Sequence, residues 1–167
     1  EREIRRLDEV VQGFLKFTRP EDLRLQAVRI SALIEEVRPI LKPEARKNHV
    51  RIVVETSDDQ LAVNGDSAML RQALLNLTIN ACQAMPNGGT LRIITATAPN
   101  NRVALKVEDT GVGIRPEDLN RIFVLYFTTK DHGTGIGLSM VYRIVQMHDG
   151  EVEVQSTPGR GTTFTLL

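Results

Sequence analysis

Apolar residues along this chain recur with two periods, and the switches between them mark out the elements. Ile4, Leu7, Val11 and Phe14 are three and four apart, one stripe on a helix whose other faces carry Glu1, Arg2, Arg5, Arg6, Glu9 and Gln12. Gly13 weakens that helix and Pro20 closes the segment. A single amphipathic helix cannot bury its own stripe, so it must pack on the rest of the chain or on another chain. From Leu25 to Ile30 a short strand is expected. Ser31 is placed to cap a helix with Leu33, Ile34, Val37 and Leu41 on its buried face, and Pro39 and Pro43 are expected to kink or segment it. Val50, Ile52 and Val54 alternate as in a half-buried strand. Leu61 to Val63 reads as another, ended by the turn signal Asn64-Gly65.

A strong helix is predicted from Ser67 to Ala84, stopped by Met85-Pro86-Asn87-Gly88-Gly89. Thr90–Thr97 and Val103–Val107 form a hairpin around Pro99-Asn100-Asn101. The stretch from Asp109 to Gly137 is rich in Gly, Thr and charge, and a loop so long is usually functional. A helix then runs from near Gly135 to His148. The strands Glu151–Ser156 and Thr162–Leu167, joined by Pro158-Gly159-Arg160-Gly161, finish the chain. Helices alternating with antiparallel-looking strands predict an α/β (α+β) sandwich: a mixed, largely antiparallel sheet with helices on one face, preceded by an amphipathic helix.

Composition narrows the class. The chain has 167 residues, 41% hydrophobic and 25% charged, which is ordinary for a globular domain. Twenty-one basic residues balance twenty-one acidic ones, against a general nucleic-acid binder. No apolar run approaches the roughly 18 residues that would cross a bilayer. The lone Cys82 cannot form an internal disulfide and suits a reducing compartment. The first residue is not Met, as expected of a piece of a longer protein.

Three clusters carry candidate chemistry. Asn76 and Asn80 lie one turn apart beside the apolar stripe of Leu70, Ala73, Leu74, Leu77 and Ala81. They read either as solvated helix polars or as amide oxygens offered to a hard cation such as Mg²⁺. Asp109-Thr110-Gly111-Val112-Gly113-Ile114 follows a strand. It reads as a tight turn, or as a carboxylate that accepts from an exocyclic amine beside glycines that let a ligand reach the backbone. Gly133-Thr134-Gly135-Ile136-Gly137-Leu138-Ser139 opens a helix, where amides approached through glycines cradle phosphate, with Lys130 adding charge. None of the three is specific alone; their co-occurrence in this order is.

Together they resemble the ATP-binding catalytic domain of sensor histidine kinases, of the Bergerat (GHKL) fold. NLTINACQA at 76–84 looks like the N box and DTGVGI at 109–114 like the first glycine box. IFVLYFTTK at 122–130 looks like the F box, GTGIGLSM at 133–140 like the second glycine box, and GRGTTFTL at 159–166 like the closing strand. The likeness covers about residues 28–167, and NAxQAM with GG and FTTK most resembles the nitrogen-regulation type. It implies a protein-histidine kinase domain over 23–167 that binds ATP and Mg²⁺ and transfers the γ-phosphoryl to a histidine, for relay to a response regulator. Asn80 would be the Mg²⁺ ligand, Asn76 would help hold the phosphates, and Asp109 would bind the adenine amine. Gly111, Gly113 and Ile114 would edge the pocket. Residues 115–133 would form a mobile lid anchored by Phe123 and Phe127, with Thr129 and Lys130 at its end. Gly133, Thr134, Gly135, Ile136, Gly137 and Leu138 would serve the phosphates, and Thr163 would back the adenine.

Residues 1–22 look like the second helix of the dimerisation and phosphoacceptor hairpin plus a linker, implying a possible homodimer. The first hairpin helix is missing, and His49, His132 and His148 lack the phosphoacceptor setting, so the acceptor would lie outside this chain. Of the three, His132 is the one placed for a lid contact with phosphate. Gln83 stands where many members carry a base. ATP-hydrolysing members such as DNA gyrase and MutL place a Glu where Asn76 stands, and an amide cannot take a proton from water. Transfer to an external nucleophile is therefore expected over hydrolysis. The competing readings are a nucleotide-responsive protein-binding module and an anti-sigma-type serine kinase. A cytoplasmic setting is implied, in a parent that is membrane-anchored or not.

Overall fold

The computed structural model describes residues 23–130 and 133–167, so the expected leading helix over Ile4–Phe17 and His132 lie outside the described residues. The elements are β1 (Gln26–Arg29), α1 (Ile30–Lys47), β2 (Val50–Thr56), β3 (Ala62–Gly65), α2 (Ser67–Gln83), β4 (Gly89–Ala98), β5 (Arg102–Asp109), α3 (Pro116–Leu119), α4 (Gly137–Met147), β6 (Val152–Thr157) and β7 (Gly161–Leu166). Five strands form one sheet in the order β2-β4-β5-β7-β6, and β1 and β3 form a separate antiparallel pair. β2 pairs with β4 in parallel and the other neighbours are antiparallel, so the sheet is mixed, as the sequence predicts. A parallel pair needs a crossover, and α2 supplies it.

Directly paired residues share a face, so the register writes the core in rows. Ile93, Val107, Phe164 and Val154 make one row; Thr95, Leu105, Leu166 and Val152 make the next. Against these pack Leu33, Ile34, Val37 and Leu41 of α1, Ala73, Leu74 and Leu77 of α2, and Val141, Ile144 and Val145 of α4. The row nearest one end of the sheet is different: Leu91, Asp109, Thr162 and Ser156. Here the apolar core gives way to polar side chains on the same face.

Three sequence expectations are corrected. Pro39 and Pro43 do not divide α1, which runs unbroken for 18 residues. They sit four apart on its exposed side, where the carbonyls they leave unbonded reach water, while the buried face continues to Ala45. Ser31 does not cap that helix; Arg29 stands at the cap without a side-chain bond, and the Ser31 hydroxyl donates instead to the Asp59 carbonyl at 2.9 Å. Asn64-Gly65 is not a turn but the end of β3. Gly65 is small because Leu70 and the His148 ring close over it, and a Cβ would lie 2.7 Å from Leu70 Cδ1. The chain turns one residue later, at Asp66, whose carboxylate accepts from the amides of Ala68 and Met69 at 3.0 and 3.1 Å and starts α2. His148 proves to be a packing residue. Its Nε2 accepts from the Asp66 amide at 2.9 Å and its Nδ1 lies 2.7 Å from the Ile144 carbonyl, which fixes the Nδ1–H tautomer.

Candidate nucleotide site

The polar end of the sheet opens into a cavity of about 790 Å³. One wall is α2, which contributes Asn76, Ile79, Asn80 and Gln83. A second is the segment after β5, with Asp109, Val112, Gly113 and Ile114. A third runs from Arg115 to Lys130 and on through Gly133, Thr134, Gly135, Gly137 and Leu138. The three motif clusters, dispersed along the sequence, thus line one space.

Asp109 ends β5 and is only 9% exposed. Its Oδ1 accepts from the Gly111 amide at 2.9 Å and the Thr162 amide at 3.3 Å. Burial pushes its pKa above the ordinary carboxylate value, against the pull of those two amides and of Lys130. No described group bonds Oδ2. A carboxylate held by one oxygen, with acceptor capacity left on the other, suits a ligand amine.

The segment after Asp109 is clamped on three sides. The Val112 amide donates to the Ala84 carbonyl at 2.9 Å, the Gly159 amide to the Val112 carbonyl at 2.8 Å, and the Ile114 amide to Ser156 Oγ at 2.8 Å. Gly113 has φ +71°, and any Cβ there would strike the Thr157 carbonyl. That glycine serves a close backbone approach, as the spacing suggests.

On the α2 wall of the cavity stand the amides, with a cation against them. Asn76 Nδ2 donates to the Gly137 carbonyl at 3.3 Å, tying α2 to the start of α4. Lys130 Nζ donates to Asn80 Oδ1 at 3.0 Å and to Gln83 Oε1 at 2.9 Å. The residue is exposed overall, yet crowding by protein at its ammonium end holds its pKa below the ordinary lysine range, opposed by the Asp109 and Glu44 carboxylates. Gly135 (φ +68°) lies against the Tyr126 backbone, and the Tyr126 amide donates to its carbonyl at 2.9 Å. Phe127 lines the cavity under the Arg121 guanidinium, 4.4 Å above the ring. Phe123 instead packs on Tyr142 and Phe164, with ring centroids 5.3 and 6.4 Å away.

Of the predicted site residues, the structure brings to the cavity Asn76, Asn80, Asp109, Gly113, Ile114, Phe127, Thr129, Lys130, Gly133, Thr134, Gly135, Gly137 and Leu138. Gly111, Phe123, Ile136 and Thr163 are not on its surface. For Thr163 the reason is register. It pairs with Glu108 and Gln155 and so points to the face opposite Asp109, while its neighbour Thr162 lines the cavity. The helix after the second glycine cluster, α4, starts at Gly137, two residues later than expected.

Sequence reasoning missed Asp118, which is 5% exposed, lines the cavity and is bonded by Arg115 Nε at 2.9 Å. The signal was present in Arg115-Pro116-Glu117-Asp118, a proline followed by acids at a helix start. Among the described residues no group of three or more His, Cys, Asp or Glu is placed to hold a metal. The donor set fits a hard cation carried in by a polyanion, with Asn80 Oδ1 as the protein's oxygen: that atom already draws a cationic partner in Lys130.

Comparison with known proteins agrees with this geometry. Residues 65–167 match the family described as histidine kinase-, DNA gyrase B-, and HSP90-like ATPase. The signal transduction histidine-protein kinase AtoS of Escherichia coli (strain K12) is 37% identical over 166 residues, and the sensor histidine kinase ZraS of the same strain is 38% identical over 165. The alignments cover 99% of this chain but only 27% and 35% of those proteins. Full-length ShkA in complex with AMPPNP superposes with a TM-score of 0.86 at 29% identity, over 96% of this chain and 35% of that one. The catalytic domain of histidine kinase ThkA gives 0.76 at 28%, over 86% and 93%. The chain belongs to the histidine kinase-, gyrase B- and HSP90-like ATPase family, and its homologues within it are sensor histidine kinases. Among the described residues no helix is long and apolar enough to cross a membrane.

Proposed function

We propose that this chain is the ATP-binding catalytic domain of a sensor histidine kinase, bounded at residue 23, which binds adenosine triphosphate with Mg²⁺ and presents the γ-phosphoryl to a histidine on a helical hairpin. The observation that carries this is that one cavity brings together a buried carboxylate, Asp109, with Lys130, Asn80 and the glycines before α4. In this reading Asp109 Oδ2 accepts from the adenine amine. Asn80 Oδ1 faces the metal, and the amides from Gly133 to Leu138 face the phosphates. The bound Mg²⁺ would neutralise and orient the triphosphate.

Among the residues on the cavity surface, those near Gly137 are amides rather than bases, since Asn76 donates to its carbonyl. The Asn76 amide there cannot take a proton from water, which favours transfer to a presented nucleophile over hydrolysis. Positioning and charge stabilisation are then the chain's whole contribution. The AMPPNP bound by ShkA supports the nucleotide, and the ThkA complex with response regulator protein TrrA, superposing at 0.82 and 26% identity, supports a response regulator as downstream partner. The first 22 residues serve, in this reading, as one helix of the hairpin and a point of self-association, and the domain works in the cytoplasm where ATP is found.

The test is calorimetric titration with ATP and GTP, with and without Mg²⁺, followed by incubation of the chain with labelled ATP and a separate accepting hairpin. Preference for ATP and acid-labile label on the hairpin are expected. Binding without label on any acceptor would make the domain a nucleotide-responsive module, and acid-stable label on a serine would make it a serine kinase.

A further inference from the structure

The row that carries Asp109 does not stop at the cavity. Asp109 pairs with Thr162, and Thr162 pairs in turn with Ser156 on the edge strand β6. Ser156 does not line the cavity. Its hydroxyl nevertheless has three partners. It accepts from the Ile114 amide at 2.8 Å, lies 2.8 Å from Thr162 Oγ1, and donates to the Gly161 carbonyl at 3.0 Å. A hydroxyl has one proton and two lone pairs. With its proton on Gly161, the Ile114 N–H and the Thr162 O–H fill both lone pairs and leave no spare capacity.

Those partners are the two segments that shape the base end of the site. Ile114 belongs to the wall following Asp109, and Thr162 is the residue whose amide holds Asp109 Oδ1. One hydroxyl therefore joins the wall to the strand that sets the rotation of the carboxylate. We propose that Ser156 is a positioning residue for purine selection: it fixes Asp109 and Ile114 relative to each other, and so determines how well the site tells a 6-amino purine from a 6-oxo purine. This rests on the reading that the cavity takes an adenine nucleotide with Asp109 at the base.

The chemistry of the discrimination is direct. A carboxylate oxygen accepts from an amine and repels a carbonyl in the same place, but only if it is held at hydrogen-bond distance and angle. Alanine at 156 leaves the Ile114 N–H and the Gly161 carbonyl short of a partner. The two segments are then free to shift by a few tenths of an ångström, which costs the amine bond more than it costs the phosphate contacts.

The experiment measures the affinities of ADP and IDP for the chain, Ser156→Ala, Ser156→Thr and Asp109→Asn, with a melting curve for each. The unmodified chain is expected to prefer ADP by roughly tenfold or more, and Asp109→Asn to lose most of that preference. Ser156→Ala is expected to cut the ratio by about threefold or more, and Ser156→Thr, which keeps the hydroxyl, to restore it. A lower melting point for Ser156→Ala with an unchanged ADP:IDP ratio would overturn the proposal and leave the serine a purely stabilising residue. No preference in the unmodified chain, and no effect of Asp109→Asn, would overturn the adenine reading beneath it and the proposal with it. If Ser156→Ala melts below the assay temperature, Ser156→Cys, which keeps the size but replaces the hydroxyl with a weakly bonding thiol, is titrated in its place, and the same ratio decides.

Discussion

The ammonium of Lys130 stands 3.0 Å from Asn80 Oδ1, so a cationic group from the segment facing α2 already engages the oxygen proposed for a divalent ion. Gln83 Oε1, at 2.9 Å, holds the same ammonium one turn further along α2. The positive charge on this side of the cavity thus comes from the segment facing α2 instead of from the helix.

If Asn80 supplies the metal's protein oxygen, Asn80→Ala erases the gain in ATP affinity that Mg²⁺ confers and leaves metal-free binding within about threefold. Titrations with and without Mg²⁺ check this. An Mg²⁺-dependent gain that survives the substitution would move the metal elsewhere.

Asp109 carries a charge that burial opposes, since its folded pKa is raised. The sign follows: the charged form weakens the fold above that pKa, and the cost is relieved as pH falls through it. Asp109→Asn should therefore melt at an equal or higher temperature than the unmodified chain at neutral pH, with the difference shrinking in acid. Adenine-nucleotide affinity should fall by about tenfold or more. Parallel melting and binding curves test both halves.

Asp66 behaves oppositely. Burial alone would raise its pKa, but the amides of Met69, Arg24 and Ala68, with His148, outweigh it and the net shift is downward. Its stabilisation is complete above the ordinary value of 3.8 and is lost as pH falls through the depressed folded pKa. Asp66→Ala should cost about 1–2 kcal/mol at neutral pH and less in strong acid, read by denaturant unfolding.

Gly113 and Gly159 both have positive φ, +71° and +75°, but a Cβ at Gly113 strikes the Thr157 carbonyl whereas one at Gly159 meets nothing within 4 Å. Alanine at 159 should cost about 1 kcal/mol of backbone strain, and alanine at 113 at least twice that. Equal losses in thermal melts would mean that the close approach to Thr157 is unimportant.

Thr95 is 2% exposed, and its hydroxyl has no hydrogen-bond partner among the described residues. Thr95→Val keeps the shape and removes the orphaned group, so a gain of about 1 kcal/mol is expected in denaturant unfolding.

How much of this was legible in the sequence follows from the range of each signal. The hairpin of β4 and β5, the Asn100-Asn101 turn and the apolar stripe of α2 are local, and they appear where predicted. The motifs at 76–80, 109–114 and 133–138 were visible as residue types, but their convergence on one cavity is a matter of sheet order and helix crossover. Thr163 against Thr162 shows the limit. Which of two adjacent threonines faces the site depends on pairing with Asp109, 53 positions away in the chain, and no local pattern encodes it. The two prolines of α1 misled because their cost depends on which side meets water. Ser156 is unmarked because its partner Ile114 lies 42 positions away, whereas Asp118, three residues from Arg115, carried a local signal in its proline-led helix start.

The helix bearing Asn76 and Asn80 is also the connection that allows β2 and β4 to run side by side in the same direction. It is held between the two strands that it connects and packs on α1 and α4. The segment from Arg115 to Lys130 on the facing wall has only one short helix, and amide hydrogen exchange under native conditions should find these two sides of the cavity belonging to very different stability classes.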